Sequence, residues 1–172
     1  MSTTEEQRFA PPQSHVADVA PDVPVLAGRG VRLAAAVVDG LIAGGAAFAV
    51  GMIPGLQSFF QAQNITVDPG FWTFNLSGLL IGVPLFLLIQ GWPLVTRGQT
   101  LAKMLFKLRI VRTDGSPVDP VRMLGIRYGI GMLTGVYTGL AMLYGLIDSL
   151  LIFRESRQCL HDTLADTKVI RL

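Results

Sequence analysis

From Leu33 to Ile53 every position but one is apolar or small, the exception being Asp39. A helix rises 1.5 Å per residue and needs about 20 apolar residues to cross a bilayer's hydrocarbon, so this run predicts a membrane span over 33–53. A second run predicts a span over 73–93. Trp72 and Trp92 bracket it; their separation corresponds to about 30 Å of helix and places an indole at each rim, as in an aromatic belt. Gly82 and Pro84 near its middle predict a bend, because proline removes a backbone donor and crowds the preceding turn. That bend serves either gating or simple packing.

The polar positions sort the rest of the chain. Leu101, Met104, Leu105 and Leu108 recur at i, i+3, i+4 and i+7, which predicts a surface-lying amphipathic helix over Thr100 to Leu108 with its lysines among headgroups. Leu108 to Arg112, followed by Asp114-Gly115, predicts a strand entering a tight turn, and Thr167 to Arg171 has the character of a pairing partner. Val121 to Phe153 is 33 residues, too many for one span and few for two. A hairpin of two short helices, with a re-entrant form left open, is preferred to one long tilted helix because the segments on both sides of it are basic. Gly131, Gly135 and Gly139 mark a close helix contact or the bend itself, and Gly40 and Gly44 form a GxxxG that lets another helix approach.

Composition agrees with this pattern: 51% of the 172 residues are hydrophobic and 15% charged, with mean hydropathy +0.50. The expected fold is an all-α membrane protein, a small helical bundle of two full spans and a C-terminal helical hairpin with a small cytoplasmic β element. Residues 1–27 are proline-rich and mildly acidic and read as a disordered tail; 28–172 form one transmembrane domain. Within it, 97–121 is a cytoplasmic basic connector, 121–153 the hairpin and 154–172 a cytoplasmic tail. A cleavable signal peptide would need a basic start followed directly by an apolar core, so the first span is expected to direct insertion itself. The net charge of +2 and pI near 9.0 fit the positive-inside rule better than nucleic-acid binding, and they favour cytoplasmic termini.

Chemistry is sparse. Arg32 and Asp39 lie seven residues apart on nearly one helix face, roughly 10 Å along the axis, too far for contact unless the arginine bends. A carboxylate among lipid-embedded helices costs about 2.5 to 3.5 kcal/mol on insertion scales, so Asp39 needs a partner from elsewhere. It is either a structural anchor or a site for a proton, cation or solute. Asp148, in an apolar context, either shares a polar cluster with Asp39 and an arginine or lies hydrated at the interface. Cys159 near His161 falls short of a metal ligand set, no cofactor motif occurs, and His161-Asp162 reads as a helix cap rather than acid-base machinery.

These residues resemble the RDD family of bacterial membrane proteins, named for an arginine and two aspartates. Arg32 and Asp39 match its arginine and first aspartate. Gly98 to Lys103 with Leu108 to Val111 is similar to its connector, and Arg127 falls where an arginine is common. The ending Gln158 to Ile170 is similar to the closing motif, which makes Asp162 the choice for the second aspartate and Asp148 the alternative. Asp166 and Ala102 depart from the family's usual glycines. The resemblance implies a multi-pass inner-membrane protein in contact with lipid, able to oligomerise with its own copies, and a part in moving an ion or small solute through an Arg/Asp site. The alternative is a structural or accessory protein whose Arg/Asp residues hold the helices and which binds a partner protein. No enzyme activity is expected.

Overall fold

A computed structural model of the protein describes residues 25–56 and 73–172, together with 58, 62 and 64–66. Trp72 and residues 1–24 of the expected tail lie outside the described residues. Among the described residues, two helices are long and apolar enough to cross a membrane, Arg29–Gly51 and Gly78–Arg97. The first is α1 (Arg29–Gly51). A short hairpin of β1 (Asn64–Thr66) and β2 (Thr73–Asn75) follows, and it delays the start of the second helix relative to the sequence expectation.

The second helix, α2, is α-helical over Leu76–Phe86, π-helical over Leu87–Gly91 and α-helical again over Trp92–Arg97. Its irregularity follows Pro84, which lacks the N–H that an α-helical turn requires, and the ladder widens three residues later. The widened turn carries Gln90, which is buried. At the other end Gly98 turns the chain with φ +66, and a Cβ there would lie 2.7 Å from the Ile110 carbonyl oxygen. Only glycine fits this corner.

The amphipathic stretch forms a shorter helix than its apolar spacing predicts. Thr100 caps α3 (Leu101–Leu105) by accepting from the Lys103 N–H at 3.2 Å, and the helix ends because Lys107 takes φ 53 and Leu108 opens a strand. Leu108 is therefore fully buried instead of facing lipid, while Leu105 is exposed. Strands β3 (Leu108–Arg112) and β4 (Thr167–Arg171) pair antiparallel in the register Leu108 to Arg171, as their composition predicts. Leu108, Ile110 and Val169 enter the core with Leu94, Ala102 and Met123. The last residues of the expected tail are ordered here: Ala27 is buried and donates to the Val169 carbonyl at 3.0 Å, and Arg171 donates to that of Val25 at 2.9 Å. The exposed edge of β4 offered hydrogen bonds that this segment satisfies.

Between the strands the chain forms α4, π-helical over Val121–Tyr128 and α-helical over Gly129–Thr134, then α5 (Thr138–Leu151). The two helices meet at the bend from Gly135 to Tyr137, where a Cβ on Gly131 would stand 3.3 Å from the Tyr144 ring. The glycine repeat thus serves both the contact and the bend. A short α6 (Leu160–Leu164) precedes β4. Arg29 closes the end of α5 by donating to the carbonyls of Ile152, Phe153 and Arg154 at 3.1 to 3.2 Å.

The GxxxG expectation needs correction within the single chain. A Cβ on Gly40 or Gly44 would meet nothing within 4 Å, so neither glycine is a point where another helix of this chain packs closely. The left-handed corner at Gly98 gives a direct check. Gly98→Ala should cost roughly 1 to 3 kcal/mol from the backbone alone, more with the carbonyl clash, and should lower the unfolding temperature of purified protein in detergent. Gly44→Ala should leave that temperature unchanged.

Candidate functional site

Asp162 is a charged group with no exposed side-chain surface. It occupies the first turn of α6, where its Oδ2 accepts the Cys159 N–H at 3.2 Å and caps the helix. The same carboxylate receives two guanidinium groups: Arg32 from α1 binds Oδ2 and Arg127 from α4 binds Oδ1. Arg127 also donates to the Thr167 hydroxyl, and Arg32 to the Arg157 carbonyl. Three segments far apart in sequence converge on one carboxylate. Burial alone would raise its pKa, but Arg127, His161 and Arg32 outweigh burial and hold it well below the usual carboxylate range.

Asp39 belongs to a different network, contrary to the expectation that it shares a cluster with an arginine and a second aspartate. Its Oδ1 accepts from Gln90 Nε2 at 3.0 Å and from the Ala102 N–H at 3.1 Å; its Oδ2 accepts from the Thr100 hydroxyl at 2.5 Å. Lys103 Nζ stands 3.7 Å from Oδ2. Gln90 is fixed in turn by the Leu101 N–H, which donates to its Oε1 at 2.9 Å. The carboxylate thus receives one of the free N–H groups at the start of α3, that of Ala102, where an anion is favoured. Gln90 and Thr100 carry no charge, so hydropathy and charge patterns pass over them; the proline six residues before Gln90 was the available signal.

Asp148 pairs with neither Asp39 nor an arginine. Both its oxygens lie 2.8 Å from His161 Nδ1, and Oδ1 also accepts the His161 N–H at 3.0 Å. Of the five residues picked out from sequence, Arg32, Arg127 and Asp162 meet directly, Asp148 adjoins them through His161, and Asp39 stands apart. His161 and Asp39 both line a cleft of about 610 Å³ between α1 and α2. Its α1 wall is mostly glycine and alanine, its α2 wall carries Leu85, Phe86 and Ile89 beside Gly82, and its polar residues include Gln90, Thr100 and Lys103. Asp39 remains 18% exposed to it.

Two apolar helices of spanning length, with arginine and aspartate side chains joining the first helix to the end of the chain, define a membrane-associated protein. A sequence model of the RDD family matches residues 26–166, and the chain belongs to that family. No curated protein and no solved structure matches the chain. Asp162 is the aspartate that meets Arg32 in space. Asp166 stands at a left-handed corner, φ 52, where glycine would be unstrained; its carboxylate accepts from the Thr113 hydroxyl and from Arg112 at 3.2 Å.

The two networks should respond differently to neutralisation. Asp162→Asn leaves two buried guanidinium groups facing one another, an expected loss of about 3 to 5 kcal/mol. Asp39→Asn removes one acceptor oxygen from a partly exposed network and should cost roughly 1 to 3 kcal/mol. Thermal unfolding of both variants in one detergent tests this ordering, and a larger loss for Asp39→Asn would contradict it.

Proposed function

We propose that this RDD protein is a multi-pass inner-membrane transporter, or a transporter subunit, for an ion or small solute, with Asp39 as the charged group the solute meets. The observation that carries this reading is the cleft between α1 and α2, into which Asp39 opens beside Gln90, Thr100 and Lys103. An ionisable side chain within a spanning helix marks a solute or proton pathway by default, since its cost must be offset by a role. Glycines and alanines on the α1 wall leave room beside the carboxylate. Lys103, 3.7 Å from the carboxylate, is a displaceable counter-charge: an entering cation takes its place, and its return releases the cation.

The orientation follows from charge. Arg29, Arg97, Lys103, Lys107, Arg109, Arg112 and Arg122 cluster around the sheet and the nearby helix ends, so this end and both termini face the cytoplasm. The α4–α5 hairpin enters the membrane from that side and returns to it. One chain supplies few spans, and a second copy against the open glycine face of α1 would complete the enclosure.

A second reading rests on the Arg32–Asp162–Arg127 cluster, which is buried and in which both arginines bind the one carboxylate. Those residues then act only to hold the helices, and the protein serves as a structural or accessory subunit for a partner. Vesicles distinguish the two. With wild-type protein, a pH gradient should drive measurable ion movement; Asp39→Asn should reduce it by about tenfold or more at equal protein density. Gly44→Leu, which narrows the cleft and whose Cβ meets nothing within 4 Å, should reduce flux while leaving the unfolding temperature intact. Equal flux in wild type, both variants and empty vesicles would leave only the accessory reading.

A further inference from the structure

On sequence, Cys159 and His161 are two donors spaced one residue apart, too few to hold a metal. The fold supplies a third. Asp148, on α5, places both carboxylate oxygens 2.8 Å from His161 Nδ1, and the ligand atoms of Asp148, Cys159 and His161 all lie within 4.8 Å of one another. In a tetrahedral zinc site the neighbouring donors stand about 3.5 Å apart, given bonds of about 2.0 to 2.3 Å. We infer that Asp148, Cys159 and His161 form a three-ligand site for a divalent transition metal of the zinc class, with a fourth position open toward the cleft. This stands independently of any transport role.

The surroundings are those of a ligand set. A metal-bound histidine usually donates its second ring N–H to a carboxylate, which fixes its tautomer and orientation. His161 Nε2 stands 3.6 Å from Asp162 Oδ1, a distance that a slight turn of the ring closes to a hydrogen bond. The metal-free imidazole donates from Nδ1 to Asp148; on binding, that proton moves to Nε2 through solvent and Nδ1 is left free for the ion. The Cys159 thiol proton is released, since the thiolate is the ligand. Arg32 Nη2 faces Sγ at 3.6 Å and balances part of the negative charge so formed. The two cations facing the cluster, Arg32 and Arg127, are both bound to Asp162, and Arg32 also donates to Cys159 Sγ.

Mixed sulfur, nitrogen and oxygen ligands suit zinc and cobalt far better than magnesium or calcium, which take oxygen alone. Access is through the cleft: His161 lines it, and the side chains of His161 and Asp148 keep 24% and 17% of their surface exposed.

The test uses full-length, untagged protein in detergent, titrated with Co²⁺ and then challenged with Zn²⁺. The expected result is one cobalt per chain with a thiolate-to-cobalt charge-transfer band that Zn²⁺ abolishes. Cys159→Ser, which keeps a small side chain at the start of α6, should lose the band. Asp148→Asn should weaken binding by more than the roughly 10- to 100-fold that loss of an outer-shell partner costs. Thermal unfolding of each metal-free variant confirms that it is folded, and if Cys159→Ser does not fold, the affinity of Asp148→Asn decides. Wild-type protein without the band, or variants that bind cobalt as tightly as wild type, would overturn the assignment.

Discussion

Two guanidinium groups converging on one buried carboxylate are the constraint on which the remaining geometry depends. Asp162 has no contact with water, and each of its oxygens is taken by a different arginine from a different helix. Charges so placed lose several kcal/mol of hydration each, and only close, multiple hydrogen bonds recover it. That requirement fixes the entry of α1, the middle of α4 and the start of α6 relative to one another. It also fixes β4, because Thr167 bonds Arg127 and stands opposite Arg112 in the sheet. The cytoplasm-facing half of the proposed topology is thereby a single packed unit, with the polar cluster beneath a small sheet.

Asp39 shows how the same residue type is handled where burial is partial. Its partners are uncharged apart from Lys103, and two of them, Thr100 and the Ala102 N–H, exist only because a helix begins there. The carboxylate therefore fixes the start of α3, and Gln90, swung inward by the π-helical turn, joins α2 to both. One network binds elements permanently. The other closes one end of a cleft while leaving its own carboxylate partly open.

Much of this was legible in the chain. The two long apolar runs and the alternation in Leu108 to Arg112 each reflect a strong, local physical preference, and each yielded the element it implied. The pairing of Arg32 with Asp162 was not legible from spacing, because 130 residues separate them; the resemblance singled out both residues without pairing them. The end of α3 was misplaced because Leu108 satisfies the helical repeat and the strand pattern equally well, and the left-handed Lys107 decides between them. Asp39's partners were invisible for a simpler reason. A neutral glutamine, a threonine hydroxyl and a backbone N–H give no charge signal, and their convergence depends on where a proline displaces a helical ladder.

The link from Arg32 to Asp162 also has a temporal side. Chains are synthesised from the N-terminus at roughly 5 to 20 residues per second, so α1 emerges on the order of ten seconds before the carboxylate that completes its anchorage. During that interval Arg32 lacks the carboxylate it meets in the folded chain. Emergence of Asp162 is what allows the start of α1 to be tied to α6.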